Sequence, residues 1–171
     1  IYIMRILAVI PARGGSKGIP NKNLAKLGNY SLVAIAVKNA LNSLCFTKVH
    51  VSTDSQLIQE EAIKYNADCS YLRPAEISTD NSNTYQALEY CLLKEKELGN
   101  NYDAICELQP TYVFRGSKII IDAINIFKKN QKYFNSLLTI SKIDSTAHPN
   151  YILKMNDKCL IEYGKSPPES F

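Results

Sequence analysis

The loop that follows the first apolar run of the chain combines glycines with basic side chains, a mixture suited to binding an anion. It reads PARGGSKGIPNKNL over residues 11–24. Gly14 and Gly15 lack Cβ atoms, so the chain there can bring its N–H groups close to an oxyanion. Arg13 and Lys22 bracket these glycines and can add charge-assisted hydrogen bonds to phosphate oxygens. The spacing matches neither the dinucleotide pattern GxGxxG nor the triphosphate pattern GxxxxGK(S/T), and a glycine turn with solvated cations stays open as the alternative.

Charge is distributed unevenly along the chain, and this favours an anionic ligand for its first part. The formal net charge is +4 over 171 residues. No Asp or Glu precedes Asp54, whereas seven of the 20 Lys and Arg residues do, which leaves 13 cations with the 16 anions of the remainder. Such asymmetry points to an anionic ligand. Nucleic acid is a weaker candidate, because the cations form no stripe interleaved with aromatic residues.

The cysteine and histidine content argues against a zinc site or a disulfide framework. The five cysteines lie far apart without a CxxC pair, and only two histidines accompany them. Reduced, buried thiols in a cytoplasmic protein are therefore expected. No apolar run reaches the length of a membrane span. The apolar start of the chain contains Arg5 and leads into the loop at 11–24, named here the glycine loop. This start predicts a strand rather than a signal peptide.

Strands and helices alternate along the sequence, and this order predicts how the loops are brought together. Apolar runs predict strands over residues 5–12, 48–54, 69–74, 103–110 and 136–143. Helices are predicted over 31–41, 56–65, 83–99 and 117–129, and a hairpin over 151–155 with 159–163. We therefore expect an α/β domain, with a mainly parallel sheet and helices on both faces. Right-handed crossovers place the carboxyl ends of parallel strands, and the loops after them, at one edge of the sheet.

Four segments of the sequence resemble the CMP-sialic acid synthetases, also known as acylneuraminate cytidylyltransferases. The long glycine-rich segment at 11–24 is specific, and VSTD at 51–54, LRPAEISTD at 72–80 and LQPT at 108–111 follow in the family's order. The resemblance implies a Rossmann-like nucleotidyltransferase fold, with residues 1–171 as a single domain. It also implies an enzyme that transfers CMP from CTP to the anomeric hydroxyl of a sialic-acid-like nonulosonic acid, releasing pyrophosphate, with Mg²⁺ as cofactor.

The same resemblance implies roles for individual residues. Arg13 and Lys22 are the expected catalytic residues, since they would hold the triphosphate and stabilise charge on the leaving pyrophosphate. Gln109 and Arg115 match positions near the sugar acid. The positions expected to bind CTP are Gly14, Gly15 and Ser16 at the phosphates, and Asn23, Arg73 and Thr84 around the cytosine and ribose.

Two residues of these segments have simpler interpretations that need no ligand. Arg73 precedes a proline, and the alternative for it is a turn residue paired with Glu76. Asp54, at the end of the second predicted strand, is expected to cap the helix that begins near Gln56 rather than to contact a ligand.

The sequence departs from the family pattern at two places. It reads TYVFR at 111–115, where family members usually carry SP after LQPT, in a loop that borders the sugar pocket. For the sugar acid that accepts CMP, a legionaminic, pseudaminic or Kdo-type acid therefore stays open as an alternative. Family members also continue beyond the segment PPESF that ends at Phe171, where they carry a dimerisation element and two aspartates that hold Mg²⁺.

These departures shape the remaining expectations. We expect a domain truncated at its C-terminus, no metal ligands within the 171 residues, and a homodimer when full length. CTP and a nonulosonic acid are the expected partners, without nucleic acid or membrane. A CTP-binding module that cannot transfer, and a site for GTP or UTP, both remain open as alternatives.

Overall fold

The fold is organised around β1 (Ile6–Pro11), whose first five residues are buried on both faces of a sheet. The computed structural model describes residues 3–15, 18–140, 153–155 and 161–163, and the chain divides into two compact units, Ile1–Ser136 and Leu137–Phe171. β1 pairs in parallel with β4 (Lys48–Ser52) on one side and β5 (Ala104–Glu107) on the other. The described residues therefore give the first unit a parallel sheet of three strands, ordered β4–β1–β5.

Helices cover both faces of this sheet. They are α1 (Leu32–Asn42), α2 (Gln56–Lys64), α3 (Thr84–Glu97) and α4 (Ser117–Asn130). Ile6, Ala8 and Ile10 of β1 pack into one apolar cluster with residues of α1, α2 and α4. Leu7 and Val9 pack on the opposite face against Cys91 of α3. The alternation follows from the pleat of a strand, and it confirms the predicted α/β class.

Short elements complete the first unit. A 3₁₀ helix covers Lys22–Leu24, and the two-residue strands β2 (Lys26–Leu27) and β3 (Tyr30–Ser31) pair antiparallel just before α1. A second 3₁₀ helix covers Ala75–Ile77. Ser31 caps α1 by accepting a hydrogen bond from the Ala34 N–H at 3.1 Å.

Two predicted strands differ in the structure. The strand predicted over 69–74 is wrong: its neighbourhood contributes only one isolated bridge, between His50 and Asp68, and residues 69–74 are irregular. Residues 136–140 of the strand predicted over 136–143 are likewise irregular, and the rest of that segment lies outside the described residues. In the second unit, β6 (Leu153–Met155) and β7 (Ile161–Tyr163) pair antiparallel, which confirms the predicted hairpin.

Among the described residues, no helix combines the length and the apolar character that crossing a membrane requires. The described cysteines, Cys45, Cys69, Cys91 and Cys106, are free thiols.

A buried network of charged side chains ties β4 to α3. The carboxylate of Glu95 is fully buried, and Lys48 Nζ lies 2.9 Å from its Oε1. Its Oε2 accepts hydrogen bonds from the Tyr102 hydroxyl and the Asn100 amide, each at 3.0 Å. Because an ionised carboxylate is stable in a protein interior only when it is paired and hydrogen-bonded, these three contacts explain how Glu95 is accommodated.

His50 belongs to the same network and is fully buried beside Asp68. The imidazole Nδ1 lies 2.8 Å from Asp68 Oδ1, and the ring stacks on Tyr71 with centroids 4.3 Å apart. Burial lowers the pKa of His50, but the contacts with Asp68 and Cys91 outweigh it and leave the pKa raised above 6.5. The hydrogen bond to His50 lowers the pKa of Asp68 to about 2. The pair therefore favours a protonated imidazole beside an ionised carboxylate.

This pair predicts how stability depends on pH. A raised histidine pKa contributes stability that is complete below 6.5 and is lost as the pH rises through the folded-state value. A lowered aspartate pKa contributes stability that is complete above 3.8 and is lost as the pH falls towards 2. We expect the free energy of unfolding, measured by urea denaturation, to be largest between these limits.

Two variants check the assignment. Asp68→Asn should lower the free energy of unfolding near pH 6 by about 1–3 kcal/mol, because it leaves a buried imidazole without its charged partner. His50→Gln should remove the loss of stability above pH 6.5, whereas His148→Gln, at the other histidine of the chain, should retain it. A pH profile that is the same in His50→Gln as in the parent would contradict the assignment.

Candidate functional site

A cavity opens at the carboxyl edge of the parallel sheet. Its volume is about 240 Å³, somewhat below the range of about 300–1,000 Å³ that is usual for small-molecule sites. It is lined by residue 11 at the end of β1, residue 13 after it, residues 22 and 23 in the first 3₁₀ helix, residue 73, several residues between 77 and 84, and residues 109–111 after β5. Segments far apart in sequence meet here because the three strands are parallel and end at the same edge.

Three basic side chains line the cavity, those of Arg13, Lys22 and Arg73. Arg73 is only 7% exposed, and its Nε donates to the Ser78 hydroxyl at 3.0 Å. Burial, with a smaller effect from the nearby Arg13 charge, lowers the pKa of Arg73, while Asp54 opposes this. A guanidinium keeps its charge in proteins, so Arg73 is a partly desolvated cation that gains from an anionic ligand. The simpler interpretation of Arg73 was a turn residue paired with Glu76. In the structure its side chain bonds to Ser78 of this turn instead.

Arg13 makes an ion pair across the cavity. Its Nη1 lies 2.8 Å from Oδ1 of Asp80, and the two side chains are 33% and 37% exposed. Arg13 follows β1, whereas Asp80 belongs to the loop between the second 3₁₀ helix and α3. The pair therefore joins two walls of the cavity that belong to different segments of the chain.

The glycine loop is held by two side chains rather than left open. The Gly14 N–H donates to Asp54 Oδ1 at 2.9 Å, and the Asn23 amide donates to the Arg13 carbonyl at 3.0 Å. The expected capping role of Asp54 is wrong: the cap position of α2 is Ser55, whose side chain makes no capping bond. Because Asp54 takes the Gly14 donor, this N–H does not face the cavity as a phosphate ligand in this conformation.

The residues predicted to bind CTP differ in their position relative to the cavity. Asn23 and Thr84 line it, whereas Gly14 and Gly15 are not among the lining residues. Ser16 and Lys17 lie outside the described residues. Asn23 is 5% exposed and bonds to the main chain of Arg13, so it fixes the loop in addition to lining the cavity.

Gln109 and Arg115 are placed differently from each other. Gln109 lines the cavity, and its Nε2 donates to Glu107 Oε1 at 2.8 Å. Arg115 does not line it; instead its Nη2 donates to the Gln109 carbonyl at 3.2 Å, and its own carbonyl accepts from the Asn39 amide at 3.0 Å. Burial lowers the pKa of Arg115. Arg115 therefore closes the loop that presents Gln109 and fastens it to α1.

The loop over residues 74–83, named here the polar loop, lines the site, although none of its residues was predicted as a site residue. Ile77, Thr79, Asp80, Ser82 and Asn83 all line the cavity. Thr79 and Ser82 bond to each other at 2.8 Å, and Asn83 and Gln86 form a capping box at the start of α3. The run ISTDNSNT, polar after its first residue and placed directly before a predicted helix, is the sequence signal that could have identified it.

The described residues of the cavity do not fit a dedicated magnesium site. Asp80 is the one carboxylate among them, and Arg13 already occupies one of its oxygens. Mg²⁺ requires near-octahedral oxygen coordination. Among the described residues, a group close enough to share an ion is formed by His50, Asp68 and Glu95, which do not line the cavity. The two carboxylates of this group already pair with the Lys48 ammonium, at 2.9 Å for Glu95 and 3.7 Å for Asp68.

Comparison with known proteins gives consistent results. The family model described as "Cytidylyltransferase" matches residues 7–163. The chain is 39% identical over 138 residues to the CMP-N,N'-diacetyllegionaminic acid synthase of Legionella pneumophila, covering 81% of this chain and 60% of that protein. It is also 39% identical over 129 residues to the N-acylneuraminate cytidylyltransferase of Escherichia coli O18:K1:H7, covering 75% of this chain and 30% of that protein. The chain thus spans less than two thirds of either relative.

A solved structure supports the fold. It is described as a CMP:2-keto-3-deoxy-manno-octonic acid synthetase complexed with CTP, and it superimposes with a TM-score of 0.63 at 17% identity. The match covers 74% of this chain and 48% of that one. At this identity the likeness concerns the fold alone, and it agrees with the nucleotidyltransferase fold that the sequence implied.

The contact of Gly14 with the start of α2 generates a prediction. A Cβ at position 14 would lie 3.0 Å from the Ser55 Cβ, whereas a Cβ at Gly15 would meet nothing within 4 Å. Gly14→Ala should lower the free energy of unfolding by about 1 kcal/mol or more, the scale of overpacking, and Gly15→Ala should change it little. Thermal denaturation of both variants measures this; equal midpoints would show that the loop does not pack as described.

Proposed function

This chain belongs to the cytidylyltransferase family, and we propose that it carries the nucleotide site of an enzyme that transfers CMP from CTP to the anomeric hydroxyl of a sialic-acid-like nonulosonic acid. The observation that carries the proposal is the convergence of Arg13, Lys22 and Arg73 on one cavity at the carboxyl edge of the sheet. In open α/β sheets this edge is the usual place of ligands. A nucleoside triphosphate is the kind of ligand that a cluster of cations favours.

The proposed reaction is a nucleotidyl transfer. The anomeric oxygen of the sugar attacks the α-phosphorus of CTP and gives its proton to water, while the bond from that phosphorus to the bridging oxygen breaks and pyrophosphate leaves. Arg13 and Lys22 hold the triphosphate and stabilise the negative charge that develops on the leaving pyrophosphate. Such chemistry depends mainly on positioning and on stabilising charge, which is what cations on short loops after a rigid sheet supply.

The remaining residues have the following proposed roles. Asn23, Arg73 and Thr84 line the cavity and are proposed to contact the nucleoside portion of CTP. Gln109 is proposed to face the sugar acid, and Arg115 to act by holding the Gln109 carbonyl rather than by touching substrate. The proposed phosphate cradle consists of Gly15 and Ser16, with Gly14 acting through its bond to Asp54.

For the whole protein we extend the proposal to its cofactor, assembly and compartment. It takes Mg²⁺, which supplies charge neutralisation at the triphosphate, through ligands other than the described residues of the cavity. It acts as a cytoplasmic homodimer on small substrates. The relatives are named for two different sugar acids, N,N'-diacetyllegionaminic and N-acylneuraminic acid. We therefore propose the class of nonulosonic acids, legionaminic and pseudaminic acids included, with Kdo-type acids as an alternative outside that class.

A second candidate concerns these 171 residues alone. Because the described lining residues include one carboxylate and that carboxylate is paired with Arg13, the isolated chain is also a candidate CTP-binding module without transfer activity. Formation of CMP-sugar and pyrophosphate by this chain alone, with Mg²⁺ added, would exclude that candidate.

Substitution of Lys22 tests the proposed mechanism in the full-length protein. Lys22→Ala should lower kcat by about 10²–10³-fold, the scale for the loss of one group that stabilises the transition state. Lys26→Ala is the matched control, since Lys26 is a nearby exposed cation outside the cavity, and it should leave kcat unchanged. Steady-state assays of pyrophosphate release measure both; an unchanged kcat in Lys22→Ala would remove this residue from the mechanism.

Nucleotide selectivity provides a separate test. A ligand that binds only the folded state raises the thermal midpoint according to its affinity. We expect CTP to raise the midpoint of the chain more than UTP or GTP at the same concentration. A larger shift with a purine nucleotide would overturn the assignment to cytidine while leaving the phosphate site intact.

A further inference from the structure

The carboxylate of Asp80 is a feature of the site that the proposed reaction does not explain. It is the one acidic side chain among the described residues that line a cavity with three basic ones. A cavity for a highly charged polyphosphate would bind it more strongly without a negative charge on its wall, because like charges repel. The position of this carboxylate, opposite Arg13, indicates what it does.

Asp80 occupies the guanidinium that a phosphate would need. The distance of 2.8 Å between Arg13 Nη1 and Asp80 Oδ1 is that of a charge-assisted hydrogen bond. Both side chains are about one third exposed, so the pair is open to an incoming anion. Exposed pairs of this kind contribute little net stability, and phosphate oxygens can replace the carboxylate without disturbing the fold.

The polar loop determines where the carboxylate lies. Ser82 Oγ bonds to Thr79 and also donates to the Glu76 carbonyl at 3.4 Å, while the Ser78 hydroxyl donates to the Pro74 carbonyl at 2.8 Å. These bonds join the residues on either side of Asp80 to the loop itself. The loop therefore presents Asp80 at a defined position towards Arg13 when no nucleotide is bound.

We propose that Asp80 is a place-holder for the phosphates of the nucleotide, so that CTP binds by replacing the Asp80 carboxylate on the Arg13 guanidinium. This inference rests on the proposed function, and it adds to it a residue that sets affinity. The exchange keeps Arg13 directed into the cavity before binding. It also makes each polyphosphate compete with an internal carboxylate, which weakens binding and limits retention of the pyrophosphate product.

Binding measurements on the full-length protein test the exchange. The dissociation constants of CTP and of pyrophosphate are measured by isothermal titration calorimetry without turnover. Asp80→Asn should lower both constants by about 2- to 5-fold, the scale of one partly exposed ion pair. Asp80→Ala should change them in the same direction, which guards against an effect peculiar to the amide. Asp122→Asn is the matched control, because it removes an exposed carboxylate paired with Lys118 at 3.0 Å on α4, and it should change neither constant.

A double-mutant cycle distinguishes exchange from simple repulsion. In an Arg13→Gln background there is no guanidinium to release, so adding Asp80→Asn should change the pyrophosphate dissociation constant by less than about 2-fold. An equal tightening with and without Arg13 would overturn the proposal in favour of long-range repulsion. Weaker binding by Asp80→Asn would overturn it in favour of a carboxylate that must stay on Arg13.

The proposed function and the place-holder role of Asp80 can fail separately. If the parent protein binds neither CTP nor pyrophosphate, the proposed function fails and the place-holder with it. If the parent binds both and Asp80→Asn binds them no more tightly, only the place-holder fails.

Discussion

The parallel pairing of β1 with strands on both sides is the constraint on which the remaining structure depends. A strand buried on both faces can satisfy its N–H and carbonyl groups only through its neighbours, and β4 and β5 supply them along nearly its whole length. Because the pairing is parallel, the chain leaves all three strands at the same edge of the sheet. At this edge lie the glycine loop, Arg73 and the segment that begins at Leu108. Backbone hydrogen bonding in the sheet brings them together, without a contribution from the side chains of the site.

The alternation of apolar runs was sufficient to predict this frame, while contacts between loops were not predictable from local patterns. The strand predicted over 69–74 illustrates the limit: its polar groups are satisfied by separate partners, such as the Arg73 N–H on the Thr53 carbonyl at 2.7 Å, instead of a regular ladder. The glycine loop was recognisable from composition, but its use of Asp54 depends on a segment 40 residues away. Asp80 was missed because an acidic residue in a polar run usually indicates a solvated turn.

Two carboxylates of the chain already bond to groups of the site that could otherwise bind an anion. Asp54 takes a main-chain donor and Asp80 takes a guanidinium, so the cavity carries less uncompensated positive charge than the sequence of the first 53 residues suggests. The two acids differ in one respect that determines their roles. The Asp54 bond lies in the packing of the glycine loop on α2, whereas the Asp80 bond crosses an open cavity. Asp54 thus organises the scaffold, and Asp80 is the acid that we propose to regulate occupancy of the cavity.

The fully buried Glu95 constrains how the core of this chain can change by mutation. Its charge is compatible with the interior only while Lys48, Asn100 and Tyr102 remain around it. Loss of the lysine alone would leave an ionised group unpaired in the interior, whereas loss of the glutamate alone would leave an ammonium that is 24% exposed and still beside Asp68. A neutral replacement of Lys48 is therefore accessible only together with, or after, a change at position 95. Positions 48 and 95 should covary across homologues, so that the pair behaves as one inherited unit rather than as two independently evolving sites.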